Sequence, residues 1–257
     1  MNKERAVRQA HDKVILMADY GRSGQGWLSY MLCCILNAKY IEPYDFLKGM
    51  LYTTDKRVLT LTSGNLPDRP KSPYSMVIKT HNWPAQNVNL TDKIIFLTRD
   101  PRDIAVSAYY RYKELVNLEP PTTLKEKLFY MMSSFRLLSY AWTAHKWKKF
   151  TLLWIERPDI KFYKVRYEDV STHPMETLKR ILNYLEVKAN DKLIQEAIDN
   201  FTFDKMSGRK KGEEATKNMP FRKGIVGDFR NQFSWLELKI FHLIAGKQMS
   251  ELGYRTK

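Results

Sequence analysis

Arg22, Lys79, His81 and Arg99 each end or closely follow a short apolar run that reads as a β-strand, and Tyr167 with Glu168 ends a fourth. In open α/β sheets the ligand lies outside the carboxyl ends of the strands. Groups placed there converge, however far apart they stand in sequence. The first is set in a glycine-rich loop, Tyr20-Gly21-Arg22-Ser23-Gly24-Gln25-Gly26-Trp27. Glycines let the backbone turn sharply and aim several N–H groups at one point. The N-terminus of a following helix adds partial positive charge. Arg22 adds a full charge and Ser23 a hydroxyl, so the loop suits a phosphate or a related anion. An ordinary strand-to-helix turn carrying a surface arginine is the plain alternative, since a lone glycine motif is weak. The loop lacks the Gly-Lys-Ser/Thr ending of a Walker A sequence, which counts against a nucleotide kinase or GTPase.

The elements that must position these groups alternate between strand and helix. Residues 14–18 form a continuous apolar run, as in a strand buried on both faces. Trp27, Leu28, Met31, Leu32, Ile35 and Leu36 then recur at helical spacing over residues 24–37. Residues 41–61 have no clean period, and residues 63–73 form a loop dense in turn formers. Residues 75–81 and 93–99 read as strands ending in charge. Asp100-Pro101-Arg102-Asp103 caps the next helix. A long helix begins at Thr122 or Thr123, and its stripe of Leu124, Leu128, Met131, Phe135, Leu138, Trp142 and Trp147 is expected in the core. Residues 160–167 form a fourth strand, helices start at Pro174 and Asp191, and a terminal helix covers residues 236–252. Between them lie a lysine-rich loop, residues 207–218, and a further loop, residues 219–233. The pattern predicts a mainly parallel sheet with helices on both faces, in a single domain over residues 1–257.

The chain has 257 residues and a formal net charge of +15, a balance that favours anionic partners. Cys33 and Cys34 are adjacent and are the only cysteines; they read as reduced core residues rather than a structural bridge. Residues 1–13 are polar and charged, unlike a signal peptide, and no apolar run approaches a membrane span. A cytoplasmic location is expected.

At Lys79-Thr80-His81 the chain resembles the sulfotransferases that use 3′-phosphoadenosine 5′-phosphosulfate (PAPS), nearest the cytosolic branch in pattern. The likeness runs over nearly the whole chain. Residues 21–27 are similar to the family's Pro-Lys-Ser-Gly-Thr-Thr-Trp segment, and Lys-Thr-His to its catalytic strand end. Residues 99–107 resemble its 3′-phosphate segment, and Tyr167-Glu168-Asp169 another marker. Residues 203–206 resemble an adenine-side motif, and residues 221–229 its Arg-Lys-Gly-x-x-Gly-Asp-Trp. Each is weak alone; together and in order they are a strong signal.

The resemblance implies an α/β, P-loop-NTPase-like three-layer fold. It implies a PAPS-dependent enzyme that releases adenosine 3′,5′-bisphosphate (PAP) and needs no metal. The 5′ end would rest on Arg22, Ser23, Gly24, Gln25 and Gly26. Arg99, Ser107, Arg222, Lys223 and Gly224 would hold the 3′-phosphate, Tyr167 would belong to the donor site, and Trp27 and Phe203 would sandwich adenine. Transfer would be an in-line displacement in which positioning and electrostatics do most of the work. His81 would be the general base, Lys79 would act on the sulfuryl oxygens and Arg22 on the bridging oxygen as it leaves.

The chain also departs from the family. Arg22 stands for its lysine, Gly21 for its proline, and Gln25 and Gly26 for its two threonines, so backbone contacts must replace hydroxyls. The dimer motif is degraded around Arg230, Ser234, Trp235 and Lys239, which points to a monomer or a weak homodimer. The length suits a bacterial-type member. Tyr20, Trp83, Tyr109, Tyr112 and Trp142 are candidates to line the pocket of a small-molecule acceptor, whether alcohol, phenol or amine. Neither nucleic acid nor membrane is expected as a partner. Two alternatives stand beside this reading: a non-catalytic nucleic-acid or polyanion-binding protein that uses the net charge, and a P-loop-like nucleotide kinase.

Overall fold

A computed structural model of the chain describes residues 13–41, 70–81, 91–118, 122–124, 127, 131, 134–214 and 221–256. It resolves into two compact units, each discontinuous in sequence. The first comprises Met1–Thr98 and Pro158–Thr202, the second Arg99–Arg157 and Phe203–Lys257.

The first unit holds a five-stranded, wholly parallel sheet in the order β2-β3-β1-β4-β5. Its strands are β1 (Lys13–Asp19), β2 (Lys39–Ile41), β3 (Tyr74–Thr80), β4 (Lys93–Thr98) and β5 (Tyr163–Arg166). β1 is central and buried from Val14 to Asp19, as its unbroken apolar run requires. The chain leaves β1, runs out to β2, returns by β3 and then crosses to β4 on the other side. That reversal puts the loop after β1 at the sheet's switch point, where ligands bind in such folds.

Helix α1 (Gln25–Leu36) follows that loop and is buried on nearly every face, with Met31, Leu32, Cys33, Cys34 and Ile35 inaccessible to solvent. Burial pushes the Cys33 thiol well above its ordinary value, so it is an inert core residue. Asn37, in the left-handed region at φ 55°, ends α1. The three residues of β2 follow at once and were not expected, because so short a strand shows no period of its own. Helices α4 (Tyr167–Thr172), α5 (Pro174–Tyr184) and α6 (Asp191–Asn200) complete the unit. Pro174 opens α5, and the Asn190 side chain caps α6 by accepting from the Leu193 N–H. The expected α/β class, a parallel sheet flanked by helices, is the observed one.

The second unit is helical: α2 (Pro101–Leu118), α3 (Arg136–Ile155), the short α7 (Phe203–Ser207), a 3₁₀ turn (Asp228–Asn231) and α8 (Trp235–Glu251). α8 opens with a capping box between Ser234 and Glu237. The Glu237 carboxylate also takes two bonds, of 2.7 and 3.1 Å, from Arg136 on α3. The stripe expected in the core is corrected here. Trp147 is buried, but Leu124, Met131, Phe135, Leu138 and Trp142 are exposed. The face of α3 that packs on α2 and α8 carries Tyr140, Thr143, Ala144, Trp147, Phe150, Thr151 and Trp154. Small and hydroxylic residues let neighbouring helices approach there, and a reading keyed to large apolar side chains passes over them.

Candidate functional site

The first unit gathers the predicted catalytic residues. Gly24 sits in the left-handed region, φ 90°, as the N-cap of α1, and Arg22 is left-handed too, at φ 76°. A non-glycine residue held there marks a loop shaped by its surroundings. Ser23 is buried and its hydroxyl donates to the Tyr20 carbonyl. Gln25 is buried, and its amide donates to the Met17 carbonyl of β1. Both polar side chains are turned onto the protein's own backbone. Gly26, the second residue of α1, is half-buried, and the indole N–H of Trp27 donates to the Phe201 carbonyl at 2.6 Å. The Trp27 ring meets Tyr167 edge-on, 5.9 Å between centroids. Tyr20 is half-buried directly after β1.

Tyr167 also fixes the loop sterically. A Cβ added to Gly24 would lie 2.6 Å from two atoms of the Tyr167 ring. Gly24→Ala combines that overlap with a left-handed backbone, and it should destabilise the protein by roughly 2–4 kcal/mol. A fall in the urea midpoint at unchanged m-value would show it; an unchanged midpoint would mean the loop yields freely.

Lys79 lies half-buried near the end of β3, and His81 follows that strand. His81 meets a residue that the motifs did not reveal. Its Nδ1 is 2.6 Å from Oδ1 of Asp19 and 3.1 Å from the Asp19 carbonyl oxygen. Asp19 is the last residue of β1 and 1% exposed. Parallel register sets Ala18 beside Thr80, and the next residue along each strand gives this pair. The sign in the sequence was an acid closing an otherwise apolar strand. On its other edge, Nε2 is 3.8 Å from the point a Gly21 Cβ would occupy, so the imidazole borders the glycine-rich loop. Burial pushes the imidazole down and the Lys79 charge does likewise. The charge and hydrogen bonding of Asp19 outweigh both and hold His81 above its ordinary value.

The second unit gathers a cationic cradle. Asp103, in the first turn of α2, accepts the Gly227 and Phe229 N–H groups at 2.7 and 2.9 Å. Burial raises its carboxyl, against the pull of Arg99 and those two bonds. The segment around residues 222–229 is thereby pinned to the start of α2. Arg99 donates to the Ile225 carbonyl at 3.2 Å. Arg222 is held below its ordinary value, first by burial and also by repulsion from Arg99.

Arg222 also pairs with the buried Asp228, and Lys223 lies 2.8 Å from Glu214. Gly224, at φ 67°, would place a Cβ 2.2 Å from Phe203, which therefore lies directly on its backbone. Ser107 is buried on α2. Of the acceptor candidates, Tyr109 is buried edge-on to Tyr110 and Tyr140, and Tyr112 is half-buried. Trp142 is exposed under the Lys146 ammonium, and Trp83 lies outside the described residues. Among the described residues no group of three or more His, Cys, Asp or Glu side chains is placed to hold a metal ion. Nor is any helix among them long and apolar enough to cross a membrane.

Comparison with known proteins finds sulfotransferases. The family model described as "Sulfotransferase domain" matches residues 11–253. Sulfotransferase 1B1 of the dog is 27% identical over 273 residues, 98% of this chain and 90% of that protein. The crystal structure of mouse sulfotransferase SULT7A1 complexed with PAP superposes with a TM-score of 0.63 at 22% identity, covering 96% of this chain and 88% of that one. Retinol dehydratase in a complex with retinol and PAP gives 0.60 at 22% identity, covering 94% and 82%.

Proposed function

The chain belongs to the sulfotransferase family, and we propose that it moves the sulfuryl group of PAPS to a hydroxyl or amine of a small-molecule acceptor, with His81 as the general base. The observation that carries the reading is the position of His81, at the carboxyl end of β3 with Nε2 bordering the loop of Gly21 and Arg22. A base must stand within reach of the acceptor proton, beside the group that the acceptor attacks, and here the histidine and the glycine-rich loop belong to one unit.

The residues present fit such a donor. The loop at residues 22–26 and the N-terminus of α1 offer backbone N–H groups and the Arg22 charge to the 5′ end. Arg99, Arg222, Lys223 and the Gly224 backbone offer a second anion cradle for the 3′-phosphate, with Ser107 on the same unit. Phe203, laid against Gly224, and Trp27 are aromatic faces for a purine, a contact worth about 1–3 kcal/mol in nucleic-acid systems. Tyr167 holds the loop in shape.

When bound, PAPS supplies the sulfuryl group and a phosphate leaving group. The acceptor proton passes to Nε2 of His81 as the acceptor oxygen or nitrogen bonds to sulfur. The donor held by these residues would supply the balancing step, cleavage of its sulfur–oxygen bond with the electron pair leaving on the 5′-phosphate of PAP. Lys79 and Arg22 carry the charge that grows on the sulfuryl and bridging oxygens. Tyr20, Tyr109, Tyr112, Trp83 and Trp142 remain the acceptor-side candidates, aromatic enough for a flat or ring-bearing molecule. We take both units as parts of one domain, working in the cytoplasm as a monomer or weak homodimer.

A thermal-shift comparison tests the donor assignment. PAP at a hundredfold excess over its Kd should stabilise the protein by about 2.7 kcal/mol, whereas ATP with magnesium should have little effect. An equal response to both, together with no transfer from PAPS to a panel of alcohols, phenols and amines, would overturn the reading.

A further inference from the structure

We infer that Asp19 is a positioning residue for His81: fixed at the end of β1, it keeps the proton on Nδ1 and turns Nε2 toward the acceptor as the base. The inference rests on the reading of His81 as that base and adds a residue that none of the family motifs contains. Asp19 is all but inaccessible to solvent, and a buried acid must be compensated. Its observed compensation is His81, with Nδ1 2.6 Å from Oδ1 and 3.1 Å from the carbonyl oxygen. Both acceptors lie on one side of the ring. Nδ1–H donates to the carbonyl oxygen and the carboxylate lies against the same nitrogen, so this tautomer is selected and the lone pair is left on Nε2. Nε2 is the nitrogen that borders Gly21.

The arrangement is the second half of a nucleophile–base–orienter chain, here with the acceptor's own hydroxyl or amine as nucleophile. Asp19 from β1 and Lys79 from β3 both act on the imidazole, and they oppose each other. The acid thus does two things: it sets the tautomer, and it steadies the imidazolium that forms as the proton is taken. No proton needs to reach Asp19.

The test is Asp19→Asn, which keeps the shape and removes the charge. Nitrogen-15 NMR of imidazole-labelled, donor-free protein should show the Nδ1–H tautomer in the parent and a titration midpoint above the ordinary histidine value. In the variant the midpoint should fall, and the Nδ1–H tautomer, held now by the Asp19 carbonyl without the carboxylate charge, should lose population to Nε2–H. Turnover should drop roughly 10²–10⁴-fold in kcat, with the Kd for PAP within about threefold. In a His81→Ala background the same change should cost no further activity, since a residue acting through His81 has nothing left to act on. An unchanged tautomer, midpoint and kcat would overturn the inference. So would a parent that titrates at or below the ordinary value, a readout that needs no variant to fold. Should PAPS support no turnover in any form, the donor assignment fails while the NMR result still decides the pair.

Discussion

His81→Ala should lower kcat by roughly 10²–10⁴-fold, the usual worth of a positioned general base, and leave the affinity for PAP nearly unchanged. The imidazole borders the loop at Gly21 on one edge and Asp19 on the other. On the proposed reading it takes a proton rather than holding an anion. Removing it also strands a buried acid, so the variant should lose some stability, and turnover must be measured well below its melting temperature.

The pH dependence separates this from a general loss of fold. A base works only when deprotonated, so with His81 as the proposed base kcat/KM should rise with pH through its pKa. Burial and Lys79 pull that pKa down, Asp19 lifts it, and the balance lies above the ordinary imidazole value. The rising limb should therefore fall on the alkaline side of ordinary histidine, and His81→Ala should abolish it. Full turnover in His81→Ala would remove the base from the mechanism. A limb that persists there would assign it to another group.

What could be read from the sequence follows from how each signal is written. β1, α1, α5 and α6 were legible because buried strands and two-faced helices leave periods that a short window detects. The stripe on α3 was misplaced because the packed face alternates Trp147 and Trp154 with Thr143, Ala144 and Thr151, so its apolar signal is diluted. At the site, Arg22, Lys79, His81, Arg99 and Arg222 stood out through ordered motifs. Asp19 did not, since its meaning arises only when parallel pairing of β1 with β3 brings it beside His81, 62 residues away. The pairing of Arg222 with Asp228 and of Lys223 with Glu214 was hidden in the same way. A sequence shows a basic pair as available charge, whereas in the fold both cations already hold acids.

That last point sharpens what Arg222→Ala should do. PAP and adenosine 5′-monophosphate differ only in the 3′-phosphate, so the ratio of their Kd values reads the second unit's cradle and little else. A charge-assisted hydrogen bond contributes about 1.5–3 kcal/mol, so the PAP preference should shrink by roughly 10–100-fold. Most of the loss should come from PAP, with the monophosphate barely affected. Two effects push in the same direction. The guanidinium itself is gone, and Asp228, 3% exposed, is left facing the incoming phosphate without its main counter-charge. Arg222→Lys restores charge but not the planar fork, and its loss should fall between. The double variant Arg222→Ala/Asp228→Asn should recover part of the affinity, because it removes the stranded carboxylate. Titration calorimetry with both nucleotides decides the matter. An unchanged ratio in Arg222→Ala would place the 3′-phosphate elsewhere, and equal weakening of both nucleotides would mean that the substitution disturbs the fold rather than the cradle.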